Sequence, residues 1–290
     1  MGIVLGGHQY GKAENRLVRI YRETSRHEIR DVTVTTTLRG AFDDAYLHGD
    51  QHAVLPTDSQ KNTAYAFAKE KGLGEIEDYA LTLARHFVST VEPVSSARIA
   101  VDEFAWDRVQ VGGTGHDHTW VRRGQEVRTA VAEVEDGHAQ VVSGLRDLVL
   151  LKSTGSEFAG FLKDRYTTLP ETHDRIMATA LVAQWRHDPA PDGGWDGFRD
   201  VDWAKSYTDV RRIMLEQYAT VHSLALQQTL WEMGRAVLEA HPRIAEITLQ
   251  APNKHHFAVD LSPFDVENNN EVFYAADRPY GLIEATVTRS

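Results

Sequence analysis

The sequence predicts an α+β fold in two tandem halves, each of which combines antiparallel strands with a pair of helices. Three observations support this prediction. Segments rich in β-branched residues alternate with polar residues, separate stretches carry apolar residues at helical spacing, and the order of strands, helices and strands occurs twice. The halves share this order without convincing residue identity. We place the boundary after residue 136, which gives domains of residues 1–136 and 137–290.

The first half begins with two predicted strands, the second of which alternates Val32, Val34 and Thr36 with polar neighbours. The segment Pro56-Thr57-Asp58-Ser59 ends the extended pattern and opens a helix. A second helix carries apolar residues at helical spacing over residues 76–91. The strands predicted in this half cover residues 16–21, 31–38, 98–111 and 126–134. A hairpin turn follows, and it leads to a strand predicted at residues 140–152.

The second half repeats the order with a long helical region over residues 201–241, which is broken near residues 219–223. Residues 188–197, with two prolines and three glycines, form a predicted surface loop before it. The strands predicted after the helices cover residues 244–250, 257–261 and 282–287.

Composition indicates a soluble globular protein, with 42% hydrophobic and 25% charged residues. No apolar run approaches the roughly 18–20 residues that a membrane-spanning helix needs. The start of the sequence lacks the basic and long apolar regions of a signal peptide, so we expect a cytoplasmic protein. The net charge of −11 argues against a nucleic-acid partner, because phosphate binding needs a concentrated basic surface. It permits an anionic substrate, since one buried arginine can dominate a pocket.

Cysteine is absent, which excludes disulfides, thiol nucleophiles, iron–sulfur clusters and cysteine-containing zinc sites. Histidine pairs remain as candidate metal ligands. In His116-Asp117-His118 two histidines are two residues apart, but the spacing implies no third ligand. The pair follows Gly112-Gly113-Thr114-Gly115, and we therefore predict a polar loop there.

Four blocks of the sequence carry a recognisable motif. The longest runs from Leu148 to Phe158 and continues through Phe161, Tyr166, Leu169 and Arg175. The other three are Tyr10-Gly11-Lys12, Thr57-Asp58-Ser59-Gln60-Lys61-Asn62-Thr63 and Pro252-Asn253-Lys254-His255. In the residues, order and spacing of these four blocks, the chain resembles the urate oxidase (uricase) family. The similarity extends from about residue 10 to residue 289.

The resemblance implies the tunnelling fold (T-fold), with two tandem domains of antiparallel sheets, paired helices packed on one face, and a barrel formed by oligomerisation. It also implies oxidation of urate by molecular oxygen to 5-hydroxyisourate and hydrogen peroxide, with no metal and no organic cofactor. We expect a homo-oligomer, by resemblance a tetramer, with active sites shared between subunits. The chain ends Thr288-Arg289-Ser290, without the Ser-Lys-Leu peroxisomal address of eukaryotic members.

The substrate implied by the resemblance is a flat anion edged with carbonyls and ring nitrogens. The resemblance assigns Arg175 and Gln227 to a pincer on its edge, Leu226 to a position beside them, and Phe158 to stacking on its face. Each residue also has an ordinary interpretation, as a surface charge, a polar helix face or a core aromatic. Gln228 is an alternative to Gln227.

The block that begins at Thr57 has two interpretations. Thr57-x-x-Gln60 fits a capping box, in which the threonine hydroxyl accepts a free N–H of the first helical turn. The resemblance implies instead that the Asp58 backbone N–H meets the substrate while the Thr57 hydroxyl points above the ring. The two can coexist, because a helix N-terminus offers donors and positive potential to an anion.

The remaining motif residues are assigned to proton transfer. By resemblance Lys12 abuts Thr57, and a hydroxyl between an amine and the substrate makes a short relay. Strand alternation puts Asn253, His255 and Phe257 on one face and His256 on the other. Asn253 is expected to hold oxygen or water above the ring, so its partner in the relay should lie two residues on. This selects His255, which with Lys12 and Thr57 is predicted to be catalytic. Rival functions are a T-fold pterin enzyme and a non-catalytic purine-binding or scaffold protein.

Overall fold

The structure, a computed structural model, describes residues 2–191 and 193–290. The chain forms two compact units. Unit 1 is the chain up to Gly144 together with Arg186–Tyr207, and unit 2 is Leu145–Trp185 together with Thr208–Ser290. Each unit is therefore discontinuous in sequence. The division of the chain into two T-fold domains, residues 1–136 and 137–290, stays a prediction.

Unit 1 contains an antiparallel sheet in which successive strands are neighbours. The strands are β1 (Tyr10–Tyr21), β2 (Glu28–Gly40), β3 (Val94–Val111), β4 (Thr114–Glu135) and the first part of β5 (His138–Lys152). Between β2 and β3 lie three helices: α1 (Asp43–Leu47), α2 (Thr57–Glu70) and α3 (Ile76–Thr90). The predicted pair of helices is confirmed, and its first member begins at Thr57, within the segment predicted to open it.

The core of unit 1 lies where α3 packs on β3 and β4. The apolar stripe of α3 is fully buried, from Ile76 through Leu83 to Phe87, as its helical spacing predicts. On the sheet, Val32 and Val34 are also completely buried, and this confirms the alternation read from the sequence. A sheet with one apolar face covered by a helix is the α+β arrangement that the sequence indicated.

Unit 2 contains the end of β5, most of β6 (Met177–His187), and the antiparallel pair β7 (Ile244–Ala258) and β8 (Phe273–Thr288). Its helices are α4 (Trp203–Thr220), which enters the unit at Thr208, and α5 (Leu226–Ala240), which packs on β7 and β8. The predicted break between two helices is confirmed, at residues 221–225.

The separate strand predicted at residues 257–261 is wrong. β7 runs without interruption from Ile244 to Ala258, and the chain then leaves the sheet. A short 3-10 helix follows at Ser262–Phe264, with Pro263 in its first turn. Proline lacks the N–H that a strand needs for its ladder, so the extended pattern stops before it. None of the helices among the described residues carries an apolar stretch long enough to cross a membrane.

Gly234 fixes how closely α5 approaches the sheet of unit 2. A Cβ at this position would lie 2.5 Å from Cγ2 of Val287 on β8 and 3.3 Å from Cγ2 of Ile247 on β7. Replacing an exposed helical glycine by alanine normally stabilises a helix by about 1 kcal/mol. Here the added methyl group has no room, and overpacking of a core costs about 1–3 kcal/mol.

We therefore expect Gly234→Ala to lower the free energy of unfolding by up to about 2 kcal/mol, since overpacking offsets or outweighs the gain in helix propensity. The shift in the midpoint of urea denaturation measures it. The two effects have opposite signs, so a variant more stable than the wild type would show that α5 does not pack this closely.

Candidate active site

In unit 1, the candidate residues gather at the beginning of α2. Thr57 is the first helical residue and Pro56 precedes it as the N-cap, with no side-chain bond to the helix end. The capping-box interpretation of Thr57 and Gln60 is therefore wrong. Gln60 is fully buried, and its side chain turns away from the helix end. Its Oε1 accepts a 2.6 Å bond from the Thr36 hydroxyl. A residue inside the helix cannot serve as its cap, because its own backbone is already helical.

The first turn of α2 consequently keeps free backbone donors. Within the described residues, the backbone N–H groups of Thr57 and Asp58 have no hydrogen-bond partner. The Asp58 carboxylate is occupied: it accepts bonds from the Lys61 amine and, over 3.0 Å, from the Asn62 amide. The bond from Lys61 also holds the pKa of Asp58 below its usual value. The backbone of Asp58, and not its carboxylate, is the part that can bind a further anion.

Lys12 lies on β1 beside this helix end. Its backbone N–H donates to Oγ1 of Thr36 over 3.2 Å, and Thr36 in turn donates to Gln60 on α2. The charge of Lys12 also contributes to the lowered pKa of Asp58, after the larger effect of Lys61. The register of β1 with β2 shifts between Lys12 and Asn15, and a bulge of this kind re-aims side chains. No hydrogen bond joins the Lys12 amine to Thr57 within the described part of the chain.

In unit 2, Phe158 and Arg175 are brought together directly. Phe158 and Thr172 exchange two backbone hydrogen bonds, of 2.8 and 2.9 Å, and the Arg175 N–H donates to the Ser156 carbonyl over 2.9 Å. These bonds place the Arg175 guanidinium carbon 5.4 Å from the centre of the Phe158 ring. The other contact of the ring is a stack on Phe161, with centres 4.6 Å apart.

The Arg175 guanidinium is a half-buried cation without a counter-ion. Burial lowers its pKa, although the group stays charged, and its Nε is buried without a hydrogen-bond partner. No carboxylate forms an ion pair with it among the described residues. A half-buried charge that lacks a partner is costly. A planar anion stacked on Phe158 would offer the partner that is missing.

The beginning of α5 is attached to the same segment. The Ser223 N–H donates to the Gly155 carbonyl over 2.9 Å, and the Ser223 carbonyl accepts from the Glu157 N–H over 2.8 Å. These bonds fix the turn that leads into Leu226 and Gln227. The Leu226 side chain is 3% exposed and belongs to the core, so only its backbone can reach a ligand.

The two adjacent glutamines of α5 differ in their contacts. Gln228 Oε1 accepts the Leu224 N–H over 3.0 Å and so satisfies a backbone donor before the helix. Gln227 is exposed, and its amide makes no hydrogen bond within the described chain. Of the two, Gln227 is therefore the one available for a ligand.

Asn253 and His255 lie on β7. Residues 247, 249, 251 and 253 are buried in alternation, and the rings of His255 and Phe257 stack with centres 5.8 Å apart. Between these two stretches the register with β8 shifts. Asn253 pairs with Gly281, so regular pairing would put His255 opposite residue 279, whereas it pairs with Ala276. Two steps along β7 correspond here to five along β8, so the extra residues lie on β8, and the shared face of Asn253 and His255 on β7 stays a prediction.

The neighbouring histidines also differ. Nδ1 of His256 donates to the Lys254 carbonyl over 3.2 Å, whereas the His255 ring makes no hydrogen bond among the described residues. No hydrogen bond or ring contact within these residues joins His255 to Phe158 or Arg175.

Three residues that the sequence analysis did not consider form a cluster beside Phe158. Oε1 of Glu157 accepts a 2.6 Å bond from His222, and its Oε2 accepts a 2.8 Å bond from His173. The sequence signal for this cluster is weak: a carboxylate directly before a predicted stacking aromatic. Neither histidine is near Glu157 in sequence.

His116 and His118 lie on β4, and the prediction of a loop at this pair is wrong. The turn of the hairpin is limited to Gly112 and Gly113, which both have positive φ, so the strand begins at Thr114. The two rings meet edge to face with centres 4.5 Å apart. Among the described residues, no group of three or more histidine, aspartate or glutamate side chains is placed to hold a metal ion.

The comparison with known proteins covers almost the whole chain. The family model described as Uricase matches residues 8–133 and 141–284. The chain belongs to the uricase family. A uricase from Arthrobacter globiformis is 52% identical over 287 residues, which are 99% of this chain and 90% of that protein. A uricase from Oryctolagus cuniculus is 34% identical over 288 residues, which are 97% and 93% of the two chains.

Solved uricase structures share the fold. The crystal structure of the Arthrobacter globiformis uricase superposes with a TM-score of 0.92 at 51% identity and covers 100% of this chain and 96% of its own. A Bacillus sp. TB-90 urate oxidase, at 23% identity, has a TM-score of 0.84 over 97% and 99% of the two chains and shows the fold alone. The predicted α+β class of the T-fold uricases is thus confirmed. Barrel formation by oligomerisation stays a prediction.

The contrast between the two glutamines can be tested on stability. We expect Gln228→Ala to lower the free energy of unfolding by about 0.5–1.5 kcal/mol, since it removes the bond to the Leu224 N–H. The matched variant Gln227→Ala should leave the midpoint of urea denaturation unchanged, because its amide has no partner. Equal destabilisation by both variants would mean that Gln227 also caps the helix.

Proposed function

We propose that this chain is a urate oxidase, which converts urate, O2 and water into 5-hydroxyisourate and hydrogen peroxide. The observation that carries the proposal is the half-buried Arg175, whose guanidinium carbon lies 5.4 Å from the Phe158 ring centre and which has no counter-ion among the described residues. It occurs in a chain that is 52% identical to a uricase. The anion that this arrangement requires is flat, which fits urate.

Recognition of urate uses the shape of its edge. The guanidinium of Arg175 is planar and can donate two parallel hydrogen bonds to neighbouring acceptors on the ring. The amide of Gln227 can both donate and accept, which suits an edge where carbonyls alternate with ring N–H groups. Phe158 lies against the face of the ring. The backbone N–H of Leu226 is available next to Gln227, because the first residues of a helix have free donors.

A second set of groups binds urate from α2. The free N–H of Asp58 donates to the ring, and the positive end of the helix favours the anion. The Thr57 hydroxyl is placed above the ring. Since Thr57 and Asp58 belong to unit 1 while Arg175 belongs to unit 2, we propose that they are supplied by another copy of the chain in a homotetramer.

The reaction needs proton transfer more than it needs a redox group. Urate loses a proton and gives two electrons to O2; hydrogen peroxide leaves with two protons, and water adds to the oxidised ring. Both electrons come from the substrate, so the balance requires no cofactor. Lys12, Thr57 and His255 form the relay that moves the protons, and Asn253 holds oxygen and then water above the ring.

The purified protein should consume urate and O2 in a ratio of one to one and release one equivalent of hydrogen peroxide. Activity should persist after exhaustive treatment with EDTA. Urate absorbance, an oxygen electrode and a peroxide assay measure these three quantities. Loss of activity with EDTA and its return with a transition metal would contradict the proposal of cofactor-free chemistry.

Arg175→Lys provides the control for a contaminating enzyme. It keeps the positive charge but loses the two parallel bonds, and loss of a charge-assisted bond costs roughly 1.5–3 kcal/mol. The variant should therefore lose tenfold or more in kcat/KM for urate. An unchanged value would place Arg175 outside the site. Binding of urate without O2 uptake would favour a purine-binding protein.

The relay is tested by the neighbouring histidines. We expect His255→Ala to lower kcat at least tenfold and His256→Ala to lower it less than twofold. Of these two rings, only that of His255 makes no hydrogen bond among the described residues, so it can take part in proton transfer. Single-turnover absorbance measurements under saturating urate would separate the chemical step from binding. A larger loss for His256→Ala would show that the predicted faces of β7 are reversed.

The shared site is tested by complementation. Thr57→Ala and Arg175→Ala subunits, each nearly inactive, are unfolded, mixed and refolded together. Random pairing makes half of the dimers mixed, and each mixed dimer has one site with both lesions and one with neither. About a quarter of all sites should therefore regain full activity.

Two measurements make this experiment decisive. Each variant refolded alone must stay inactive, and native mass spectrometry must detect mixed oligomers. If mixed oligomers form without any recovered activity, the site lies within one chain.

A further inference from the structure

Glu157 joins three segments of unit 2 that are far apart in sequence. It directly precedes Phe158, and its side chain is largely buried, with 22% exposed. Its two carboxylate oxygens bind different partners: Oε1 accepts from Nε2 of His222 over 2.6 Å, and Oε2 accepts from Nδ1 of His173 over 2.8 Å. Both histidine side chains are mostly exposed, at 57% and 75%.

The two histidines lie next to the proposed pincer. His173 is two residues before Arg175, and His222 lies in the turn that precedes Gln227. The segment from residue 153 to 176 contains only isolated bridges, so few bonds hold it in place. Backbone bonds hold its inner edge, at Ser156 and Phe158. The Glu157 side chain connects its own part of this segment to His173, in the later part of the same segment, and to His222, in the turn before α5.

Lys152 strengthens the same junction. Its amine donates to the Val221 carbonyl over 2.7 Å, directly before His222. Two side chains therefore hold the turn before α5: Lys152 at the end of β5, and Glu157 next to the Ser156–Ser223 bridge. A shift of this turn would move the first turn of α5, where Gln227 lies.

We propose that Glu157 is a positioning residue for the substrate pincer, and that His173 and His222 make its hold on Phe158, Arg175 and Gln227 dependent on pH. The proposal rests on the function proposed above, since it concerns the binding of urate. Glu157 itself does not contact the substrate in this proposal. It acts through the three segments that it joins.

The sign of the pH dependence follows from the charges. The bonds from His222 and His173 hold the pKa of Glu157 below its usual value, which favours the ionised carboxylate. Histidine changes its charge between about pH 5 and 8. A protonated imidazole and a carboxylate attract each other as opposite charges, whereas a neutral imidazole still donates a hydrogen bond but attracts the carboxylate less. The positioning effect is therefore strongest at low pH.

Other charges near the cluster do not reverse this sign. The charged side chains on the segments around it are Lys152, Lys163, Asp164, Arg165, Glu171, Asp174 and Arg175. Lys163 pairs with Glu171 over 2.7 Å, and Asp174 accepts from Thr154. Burial lowers the pKa of Lys152, and loss of its charge at high pH would weaken its bond to the Val221 carbonyl, an effect of the same sign.

The test measures urate binding under anaerobic conditions by calorimetry, together with aerobic kcat and KM, for Glu157→Ala. We expect its Kd to rise roughly three- to tenfold at pH 6 and less than twofold at pH 8.5, as for partly exposed ion pairs. The kcat at saturating urate should stay within twofold, because the proposed relay lies elsewhere. Ratios to the wild type at each pH cancel the titration of urate itself.

Two further variants separate positioning from general damage. His222→Gln with His173→Gln keeps hydrogen-bond donors without titration, and should remove the pH dependence of the Kd ratio. Glu171→Gln removes the same charge from the same loop without touching Glu157, and should bind urate as the wild type does.

The outcomes distinguish the two proposals. If the wild type binds urate and Glu157→Ala binds it equally well at pH 6, the positioning role is overturned while the proposed function stands. A loss in kcat with an unchanged Kd would also overturn it. If the wild type fails to bind urate, both proposals fall.

Discussion

The candidate site of unit 2 depends on a few backbone hydrogen bonds between an irregular segment and the turn before α5. Ser223 exchanges bonds with Gly155 and Glu157, and Phe158 exchanges a pair with Thr172. Without them nothing in the regular sheet would fix the Phe158 ring beside the Arg175 guanidinium. Loops can position functional side chains when rigid elements hold their ends, and here β5, β6 and α5 are those elements.

In unit 1 the corresponding constraint is the burial of Gln60. Its side chain is satisfied by Thr36 and by the Leu55 carbonyl, so it cannot turn back to cap α2. The helix therefore begins with proline as its cap and leaves N–H groups of its first turn without partners. An unsatisfied helix end is ordinarily a cost, and it becomes useful when an anion completes it. The same polar contacts attach the strand of Lys12 to this helix.

The two units carry different chemistry. Unit 2 holds the cation, the stacking ring and the free amide that a flat anion requires, together with Asn253 and His255. Unit 1 holds the helix end and the amine proposed for proton transfer. The chemistry divides in the same way in the sequence, since the motif blocks at Lys12 and Thr57 lie far from those at Phe158 and Arg175. A symmetric oligomer can bring groups from different copies of the chain together in one site.

The sequence by itself determined the fold class, the pair of helices in each half and the family, because periodic burial and contiguous motifs are local properties. It also indicated Phe158 and Arg175 together. The tertiary structure decided what depends on distant partners: that Gln60 turns inward, that Gln228 and not Gln227 binds the backbone, and that Glu157 meets His173 and His222. It also decided the register shift beside Asn253, since pairing depends on the length and path of β8, which no pattern within β7 contains.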